Sequence, residues 1–592
     1  MRTRDRAEML RYAARPECPL VTLMRTAFFL RNVPVFAGLS EELLDTLAGE
    51  VREVRIPAGR WIMREGDRAE SMFIVSGGRV EVVHEGPQEI LLRVLRRGDV
   101  LGELALLREG VRAASARAQR DTELIELGRA EFERLIEQAP EFALGLTRVM
   151  GAQIAASRSP VVPAAAPRTI AVVGLDAASP ATEVAETIAE ALSAYGPTAR
   201  LRSGDLATID QAERDTGRVV LIAPGDPEDE WTKLCLSEAD VVLAVTAGQP
   251  AHHWLSNVTP LRGCELIVLG GPLAAGPFDA LQPREVQVIA EASARPAAMA
   301  LTARRLTGRS LGIVMSGGGA RALAHIGVLE ALADAGLEFD RFAGASLGSL
   351  IAGLAAMGLD PQSIYEQCVR GFIDTNPTRD FTVPAFSLIR GATTRRLLRD
   401  VFGARRIEEL PMRFFCVSCD LIRREGVVHR TGRLIDAVYP SLAIPGVFPP
   451  VADGNRRLLV DGGVLDNLPV STMAQRGEGP VVAVDATGPG VRFKAAERPG
   501  LGRLMRPVRR ALTGSEATIP RLGETIVRTV MVGSTDTVTT ARLHADVVIT
   551  PAVAGVGLLD WKALGRVRDL GRAAVQSALE ANPDLLTRLS SR

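Results

Sequence analysis

A serine within five small residues is the first candidate for chemistry in this sequence. The pentapeptide Gly344-Ala345-Ser346-Leu347-Gly348 lies between two apolar runs. This G-x-S-x-G pattern is typical of a nucleophile elbow, in which the flanking glycines allow a tight turn that exposes the serine at a strand end. Taken alone, the pentapeptide predicts a nucleophile no better than it predicts a tightly packed turn.

Three consecutive glycines, Gly317, Gly318 and Gly319, follow an apolar strand-like run and precede a helical one. Glycine adopts backbone geometries closed to other residues, so this loop can direct several N–H groups to one point where an anion is favoured. A phosphate loop would continue with Gly-Lys-Ser/Thr, whereas Ala320-Arg321-Ala322 follows here. The sequence therefore favours an oxyanion hole for a tetrahedral acyl intermediate.

A serine nucleophile needs a base, and the sequence offers two arrangements. Asp461 ends an apolar run and is followed by two glycines, so a turn could present its carboxylate directly to the serine. Alternatively, His544 could complete a Ser-Asp-His triad with Asp461. The residues alone leave both arrangements open.

Four segments decide between these arrangements by resemblance. In order and spacing, "GGGARALAHIGVL", "GASLG", "PSLAIPGVFPPV" and "DGGVLDNLP" are similar to the patatin-like phospholipases over roughly residues 311–485. The resemblance implies a Ser–Asp dyad, with Ser346 as nucleophile and Asp461 as general base. It also implies an oxyanion hole at 317–319 that Arg321 supports, and catalysis without a required cofactor.

A second group of candidate residues lies in "LGELALLREGVRAASARA", residues 101–118. Exposed amides at a helix start favour an anion, and an arginine can pair bidentately with a cyclic phosphate. The segment resembles the phosphate-binding cassette of cyclic-nucleotide-binding domains. The resemblance implies five nucleotide contacts, and alanine after the arginine favours cyclic AMP over cyclic GMP. These contacts are Gly102, Glu103, Arg112, Ala113 and Ala114.

The elements around these residues predict several domains. Short strand-like runs with turn signals predict a β-barrel or jelly roll with flanking helices, and longer buried runs alternating with helices predict two α/β domains. By resemblance, the last is a patatin-like three-layer α/β/α fold. The predicted domains are a cyclic-nucleotide-binding domain at 1–156, a linker at 157–168, an α/β spacer at 169–305 and an esterase at 306–592.

The spacer and the cysteines predict no further chemistry. Gly174 stands alone after its strand, without a dinucleotide-binding or phosphate-loop pattern. The pair His252 and His253 lacks a nearby third ligand, which favours solvent-facing side chains over a metal site. Cys416 and Cys419 share a strand-like run, which favours buried structural thiols.

Composition excludes several functions. Lys plus Arg and Asp plus Glu are both 70, and zero net charge disfavours a nucleic-acid binder. Six cysteines in 592 residues form no disulfide framework, and no apolar run is long enough to span a membrane. We expect a cytoplasmic protein, or a peripheral one at the inner face of the membrane. Segment 492–510 has seven basic residues against one acid, and is either a solvated face or a contact with anionic lipid.

The whole pattern resembles the neuropathy target esterase family. That resemblance implies a serine esterase for phospholipid or lysophospholipid acyl esters. The presence of both domains in one chain motivates the hypothesis that a cyclic nucleotide regulates the esterase. Two alternatives stay open: a nucleotide-sensing scaffold with little catalysis, and a carboxylesterase with the His544 triad.

Overall fold

A computed structural model describes residues 26–590 with internal gaps, and the chain forms two compact units, Met1–Thr307 and Gly308–Arg592. The gaps are 32, 58, 85–89, 96, 108–109, 120–121, 158–165, 249–253, 255–260, 262, 272–280, 282, 378–379, 383–386, 455 and 488–534. Three features predicted from the sequence therefore lie outside the described residues. They are most of the predicted linker, the pair His252/His253 and the basic segment 492–510.

The first unit begins with a β-domain of two antiparallel four-stranded sheets, in the orders β1-β8-β3-β6 and β2-β7-β4-β5. Alternate residues of these strands face inward, so that Phe73, Val75 and Leu124 share one core between the sheets. The strands are β1 (Arg52–Ile56), β2 (Trp61–Met63), β3 (Ser71–Gly77), β4 (Val80–His84), β5 (Ile90–Leu95), β6 (Val100–Leu101), β7 (Ser115–Ala118) and β8 (Thr122–Gly128).

Helices flank the two sheets of the β-domain. Ser40 starts the first of them, because its hydroxyl accepts the amide of Leu43 at 3.3 Å and so caps the helix. A second hydrophobic core lies between the helices and the outer face of one sheet, with Phe36, Phe132 and Phe142 in contact. The helices are α1 (Glu41–Glu50), α2 (Glu103–Leu107), α3 (Arg129–Gln138) and α4 (Pro140–Ser157).

The same unit continues as an α/β domain with a six-stranded parallel sheet in the order β10-β11-β9-β12-β13-β14. Its inner strands are buried and mostly apolar, as a parallel sheet covered by helices on both faces requires. The strands are β9 (Thr169–Gly174), β10 (Ala199–Leu201), β11 (Val219–Ala223), β12 (Val241–Thr246), β13 (Glu265–Leu269) and β14 (Glu285–Ile289); the helices are α5 (Ala181–Ser193), α6 (Leu206–Thr216), α7 (Glu230–Glu238) and α8 (Arg295–Leu306).

The second unit is built on an eight-stranded mixed sheet in the order β19-β20-β17-β16-β15-β21-β22, with β18 paired to β17. Strands β15, β16, β17, β21 and β22 are parallel, whereas β18 and β20 run antiparallel to β17. The strands are β15 (Gly312–Met315), β16 (Arg341–Gly344), β17 (Arg413–Asp420), β18 (Glu425–His429), β19 (Val451–Ala452), β20 (Leu458–Asp461), β21 (Val481–Val484) and β22 (Val547–Ile549).

Helices cover both faces of this sheet and give three layers. Successive residues of β15 show the two cores, since Ile313 and Met315 belong to one and Val314 belongs to the other. The helices are α9 (Ala324–Asp334), α10 (Leu347–Ala356), α11 (Pro361–Cys368), α12 (Ala392–Phe402), α13 (Leu434–Ser441), α14 (Val470–Ala474), α15 (Thr535–His544), α16 (Leu564–Ala581) and α17 (Leu585–Ser590).

The predicted fold class is confirmed: a jelly-roll-like β-domain with flanking helices is followed by two α/β domains. The boundaries predicted for these domains stay predictions. In the part of the chain that the structure describes, no helix combines the length and the apolar composition needed to cross a membrane.

Candidate active site

Ser346 lies in the tight turn between β16 and α10. Its backbone has φ 51° and ψ −133°, a conformation that residues with a Cβ rarely adopt. The turn requires glycine on both sides. A Cβ on Gly344 would lie 2.6 Å from the carbonyl carbon of Gly348, and a Cβ on Gly348 would lie 2.4 Å from the carbonyl oxygen of Met315. The strained turn is the geometry expected of a nucleophile elbow.

The Ser346 hydroxyl donates a 2.6 Å hydrogen bond to Oδ2 of Asp461. Asp461 is the last residue of β20, and its other oxygen accepts the amide of Gly463 at 2.8 Å. Strand β17 brings the two residues together, because Cys416 pairs with Gly344 and Ser418 pairs with Asp461. Both side chains are buried, with 7% and 3% of their surfaces exposed.

Burial raises the pKa of Asp461 to about 7, although the hydrogen bonds from Ser346 and Gly463 oppose the shift. Desolvation disfavours the charged form of a carboxyl group and so makes the ionised group a stronger base. A carboxylate with this pKa can accept a proton from a serine hydroxyl near neutral pH far better than an ordinary aspartate can.

The glycine loop lies directly against the serine. A Cβ on Gly317 would stand 2.7 Å from the Cβ of Ser346, and a Cβ on Gly319 would stand 2.3 Å from the carbonyl oxygen of Leu558. The Gly317 amide is occupied, because it donates to the side-chain and main-chain oxygens of Asn467 at 3.2 and 3.3 Å. Within the described chain, the amides of Gly318 and Gly319 have no acceptor, and these two are available to an oxyanion.

Arg321, next to the glycine loop, forms two hydrogen bonds to main-chain carbonyl groups. Its Nε donates to the carbonyl oxygen of Val556 at 2.7 Å, and its Nη1 donates to that of Thr487 at 3.0 Å. His325 is fully buried in α9, with Nε2 2.8 Å from the carbonyl oxygen of Ser316, and burial lowers its pKa to about 4. A neutral, buried imidazole of this kind is part of the packing.

Two polar residues that the sequence reasoning did not single out also position the site. Ser441, the last residue of α13, accepts the Ser346 amide at 3.0 Å and so fixes the elbow. Asn467 joins the glycine loop to the segment after Asp461, and its Nδ2 is buried without a hydrogen-bond partner among the described residues. Both lie in segments that carried the family resemblance. A polar residue inside an otherwise apolar run was the sequence signal that could have identified them.

The histidines that follow Ser346 bond elsewhere. His544, at the end of α15, has Nδ1 2.9 Å from the hydroxyl of Ser471. His429, in β18, has Nε2 2.7 Å from the hydroxyl of Ser418, and burial lowers its pKa to about 4. The triad arrangement therefore has no hydrogen bond from either imidazole to Asp461 in the described structure.

Three of the residues predicted to contact a nucleotide, Gly102, Glu103 and Arg112, lie close together in the β-domain. Gly102 has φ 87° and stands before Glu103, the first residue of α2. Arg112 is buried and donates to the carbonyl oxygens of Gly102 at 3.0 Å and Ser71 at 2.7 Å. Ala113, the next residue, is exposed and Ala114 is half-buried.

The charges of this pocket interact. Burial lowers the pKa of the Arg112 guanidinium from its usual value, while the carboxylates of Asp67 and Glu103 act in the opposite direction. A Cβ on Gly102 would lie 2.2 Å from Nη1 of Arg112, so glycine is the residue that leaves the guanidinium its place. The cluster can hold an anion between a buried cation and the start of a helix.

The two cysteines of β17 do not form a reactive centre. Cys416 and Cys419 are buried free thiols whose pKa values are raised by burial. Among the described residues, no cluster of three or more histidine, cysteine, aspartate or glutamate side chains could hold a metal ion.

Known proteins resemble the chain in both of its predicted functional parts. Residues 313–474 match the patatin-like phospholipase family, and residues 53–139 match the cyclic nucleotide-binding domain family. An uncharacterised NTE family protein of Mycobacterium tuberculosis is 32% identical over 587 residues, which cover 95% of this chain and 97% of the relative. The chain belongs to the NTE family.

Longer NTE family relatives match part of their length. The human patatin-like phospholipase domain-containing protein 6 is 28% identical over 73% of this chain and 37% of its own. The lysophospholipase nte1 of Emericella nidulans is 26% identical over 81% of this chain and 38% of its own. The predicted family and enzyme class are thereby confirmed: this NTE family protein is a lipid ester hydrolase with an N-terminal cyclic nucleotide-binding domain.

Proposed function

We propose that this NTE family protein hydrolyses acyl esters of phospholipids or lysophospholipids through a dyad of Ser346 and Asp461. The observation that carries the proposal is the 2.6 Å hydrogen bond from the serine hydroxyl to a buried carboxylate. The names of the relatives, a patatin-like phospholipase and a lysophospholipase, support the substrate class.

The reaction has two steps. Ser346 Oγ attacks the ester carbonyl as Asp461 takes its proton, and the oxyanion accepts hydrogen bonds from the amides of Gly318 and Gly319. The proton passes to the leaving alcohol as the C–O bond breaks, which leaves an acyl-enzyme. Water then attacks the acyl group with Asp461 again as base, and the fatty acid leaves as serine is restored. One oxyanion donor typically supplies about 3–4 kcal/mol of transition-state stabilisation.

Three variants test the dyad. Ser346→Ala is expected to lose both labelling by a fluorophosphonate and hydrolysis of lysophospholipid, whereas Asp461→Asn loses hydrolysis because its amide cannot accept the proton. His544→Ala should retain activity, since its imidazole bonds to Ser471. If His544→Ala is folded but inactive, the result would favour the carboxylesterase with a Ser-Asp-His triad. If the fluorophosphonate does not label the wild-type protein, the result would favour the nucleotide-sensing scaffold.

We infer further that the β-domain binds a cyclic nucleotide, cyclic AMP by preference, as a regulator of the esterase. The buried Arg112 beside Gly102 and Glu103 supports a site for the cyclic phosphate and the ribose. Contact of the basic segment 492–510 with anionic lipid remains a prediction, as that segment lies outside the described residues.

A pair of glycine variants tests the nucleotide site. Gly102→Ala places a Cβ on Arg112 and is expected to weaken cyclic AMP binding at least tenfold, as measured by calorimetry on the full chain. Gly98→Ala is the matched control, because φ is 88° there but a Cβ would meet nothing within 4 Å. Equal affinities in the two variants would contradict the assigned site, as would wild type that binds no nucleotide.

A further inference from the structure

Two adjacent turns extend the sheet of the second unit beyond the active site. One joins β17 to β18 through residues 421–424, and the other joins β19 to β20 through residues 453–457. The turns lie side by side, because the amide of Leu421 donates to the carbonyl oxygen of Leu458 at 2.9 Å. Ser418 pairs with Asp461, so at about 3.3 Å per residue the first turn lies roughly 10 Å beyond the base.

The exposed side chains described at these turns are apolar or cationic, whereas the acidic Asp453 is half-buried. The exposed residues Leu421, Ile422, Arg423, Arg424 and Arg456 form a surface that we name the basic-apolar tip. Ile422 is 64% exposed, although large aliphatic side chains are normally buried. Arg423 lies 3.7 Å from Glu425, whereas no described residue forms an ion pair with Arg424 or Arg456.

The nearest carboxylates pair with Arg423 but leave the charges of Arg424 and Arg456 uncompensated among the described residues. Oδ2 of Asp420 lies 3.9 Å from Nε of Arg423. Asp420 is buried, and one of its oxygens accepts the amides of Ile422 and Leu458 at 2.9 and 3.3 Å. Asp453 is engaged by Arg457, with Nη2 2.6 Å from its carboxylate. These acids therefore stabilise the turns, while the guanidinium groups of Arg424 and Arg456 remain at the surface.

Backbone strain singles out the same two arginines. Arg424 has φ 59° and Arg456 has φ 58°, in the left-handed region where glycine or asparagine is usual. Neighbouring turns thus each hold a long cationic side chain at a position where the backbone favours glycine. A strained backbone conformation at an exposed position does not stabilise the fold. We therefore attribute it to a contact that the side chain makes outside the protein.

We propose that the basic-apolar tip binds an anionic phospholipid surface and holds the active-site edge of the sheet against it. The exposed aliphatic side chains of Leu421 and Ile422 fit the acyl boundary of a bilayer, and guanidinium groups beside them fit phosphate oxygens. The choice of a lipid partner rests on the proposed function, since a hydrolase of phospholipid esters must reach molecules packed in a membrane.

Vesicle sedimentation of the full chain tests the tip. The double variant Arg424→Gly/Arg456→Gly removes two cations and relieves both strained positions, so its fold should be retained. With vesicles of phosphatidylcholine containing phosphatidylglycerol, we expect its partition coefficient to fall about 25-fold at low salt, because each cation near such a surface contributes about a factor of five. With vesicles of phosphatidylcholine alone, wild type and variant should differ little.

The control variant loses the same charge outside the two turns. Arg399 lies in the last turn of α12, which precedes β17, and Arg433 follows β18. Arg399→Gln/Arg433→Gln should sediment with vesicles as wild type does. Ile422→Asp should reduce the binding that persists at high salt, where charge is screened but apolar contact is not.

Hydrolysis assays separate failure of this proposal from failure of the proposed function. All tip variants should hydrolyse a water-soluble short-chain ester at the wild-type rate and vesicle phospholipid more slowly. If neither substrate is hydrolysed in a way that depends on Ser346, the proposed enzyme activity is overturned. Vesicle sedimentation would still test whether the tip binds anionic lipid. The tip proposal is overturned if the wild-type protein does not bind anionic vesicles, or if the Arg424→Gly/Arg456→Gly variant binds them as well as wild type does. It is also overturned if the variant loses a dimer that wild type forms and keeps its vesicle binding.

Discussion

The carboxyl group of Asp461 has lost its water and is stabilised in the charged form by hydrogen bonds from Ser346 and Gly463 alone, so that its pKa lies at about 7. A base must be ionised to accept a proton. We therefore expect kcat/KM for a water-soluble ester to fall about tenfold per pH unit below pH ~7 and to level off above it. Rates measured from acid to mildly alkaline pH check this, and a profile that stays flat down to pH ~5 would contradict it.

The same group affects stability in the opposite direction. Its folded pKa exceeds the usual value of 3.8, so the folded state binds more protons between pH ~4 and ~7 and this group's contribution to stability falls as pH rises through that window. Asp461→Asn removes the buried charge, and we expect it to be inactive yet at least as stable as wild type at pH ~8. Thermal unfolding of both proteins measures this, and a markedly less stable variant would show that the carboxylate is needed for folding.

We infer that Asn467 is a positioning residue for the oxyanion hole, since its side-chain and main-chain oxygens accept the Gly317 amide. Asn467→Ala is expected to lower kcat about tenfold to a hundredfold with KM nearly unchanged, because a loosened loop no longer aims its donors. Steady-state kinetics on a soluble ester separate the two parameters. Ser471→Ala, which removes the hydroxyl beside His544, is the control and should keep wild-type kcat; a raised KM in Asn467→Ala would instead indicate substrate contact.

The strained elbow is a property of the β16–α10 element as a whole, since the neighbouring glycines and Ser441 force it on Ser346. Ser346→Gly and Ser346→Ala both remove the nucleophile, but glycine alone tolerates φ 51°. We expect the glycine variant to be more stable than the alanine variant by about 1–2 kcal/mol in the free energy of unfolding. Chemical denaturation compares them, and a less stable glycine variant would mean that the turn is not strained.

The sequence predicted elements whose causes are local. Continuous apolar runs such as those of β15 and β16 indicate buried parallel strands, and a glycine-rich turn after each indicates where the side chains of interest emerge. The hydrogen bonds that complete the site join residues far apart along the chain, as Ser346 with Ser441 and Gly317 with Asn467 show. Such pairs depend on sheet order and register, which local patterns do not encode. For the same reason the occupied Gly317 amide was not foreseen.

At the scale of the whole molecule, any response of the esterase to a nucleotide must pass through the first unit. There a buried ion pair joins the β-domain to the α/β domain: Arg79, which precedes β4, donates from Nε to Oδ1 of Asp240 at 2.8 Å. The other carboxylate oxygen accepts the amides of Arg168 and Thr169, at the start of β9. The domain pattern predicted from the sequence gave no sign of this pair, because its partners lie in different domains.

Loss of this ion pair should uncouple nucleotide binding from activity. In Arg79→Gln, the two amide donors of Asp240 offset part of the cost of leaving its buried charge unpaired, and circular dichroism checks that the variant is folded. Cyclic AMP affinity should stay within about twofold because Arg112 is untouched. We expect the ratio of esterase rates with and without cyclic AMP, different from one in wild type, to move toward one. Arg202→Gln, which breaks an exposed pair with Glu186, should keep the wild-type ratio. A wild-type ratio in Arg79→Gln would show that the signal takes another route, since the buried pair is then dispensable.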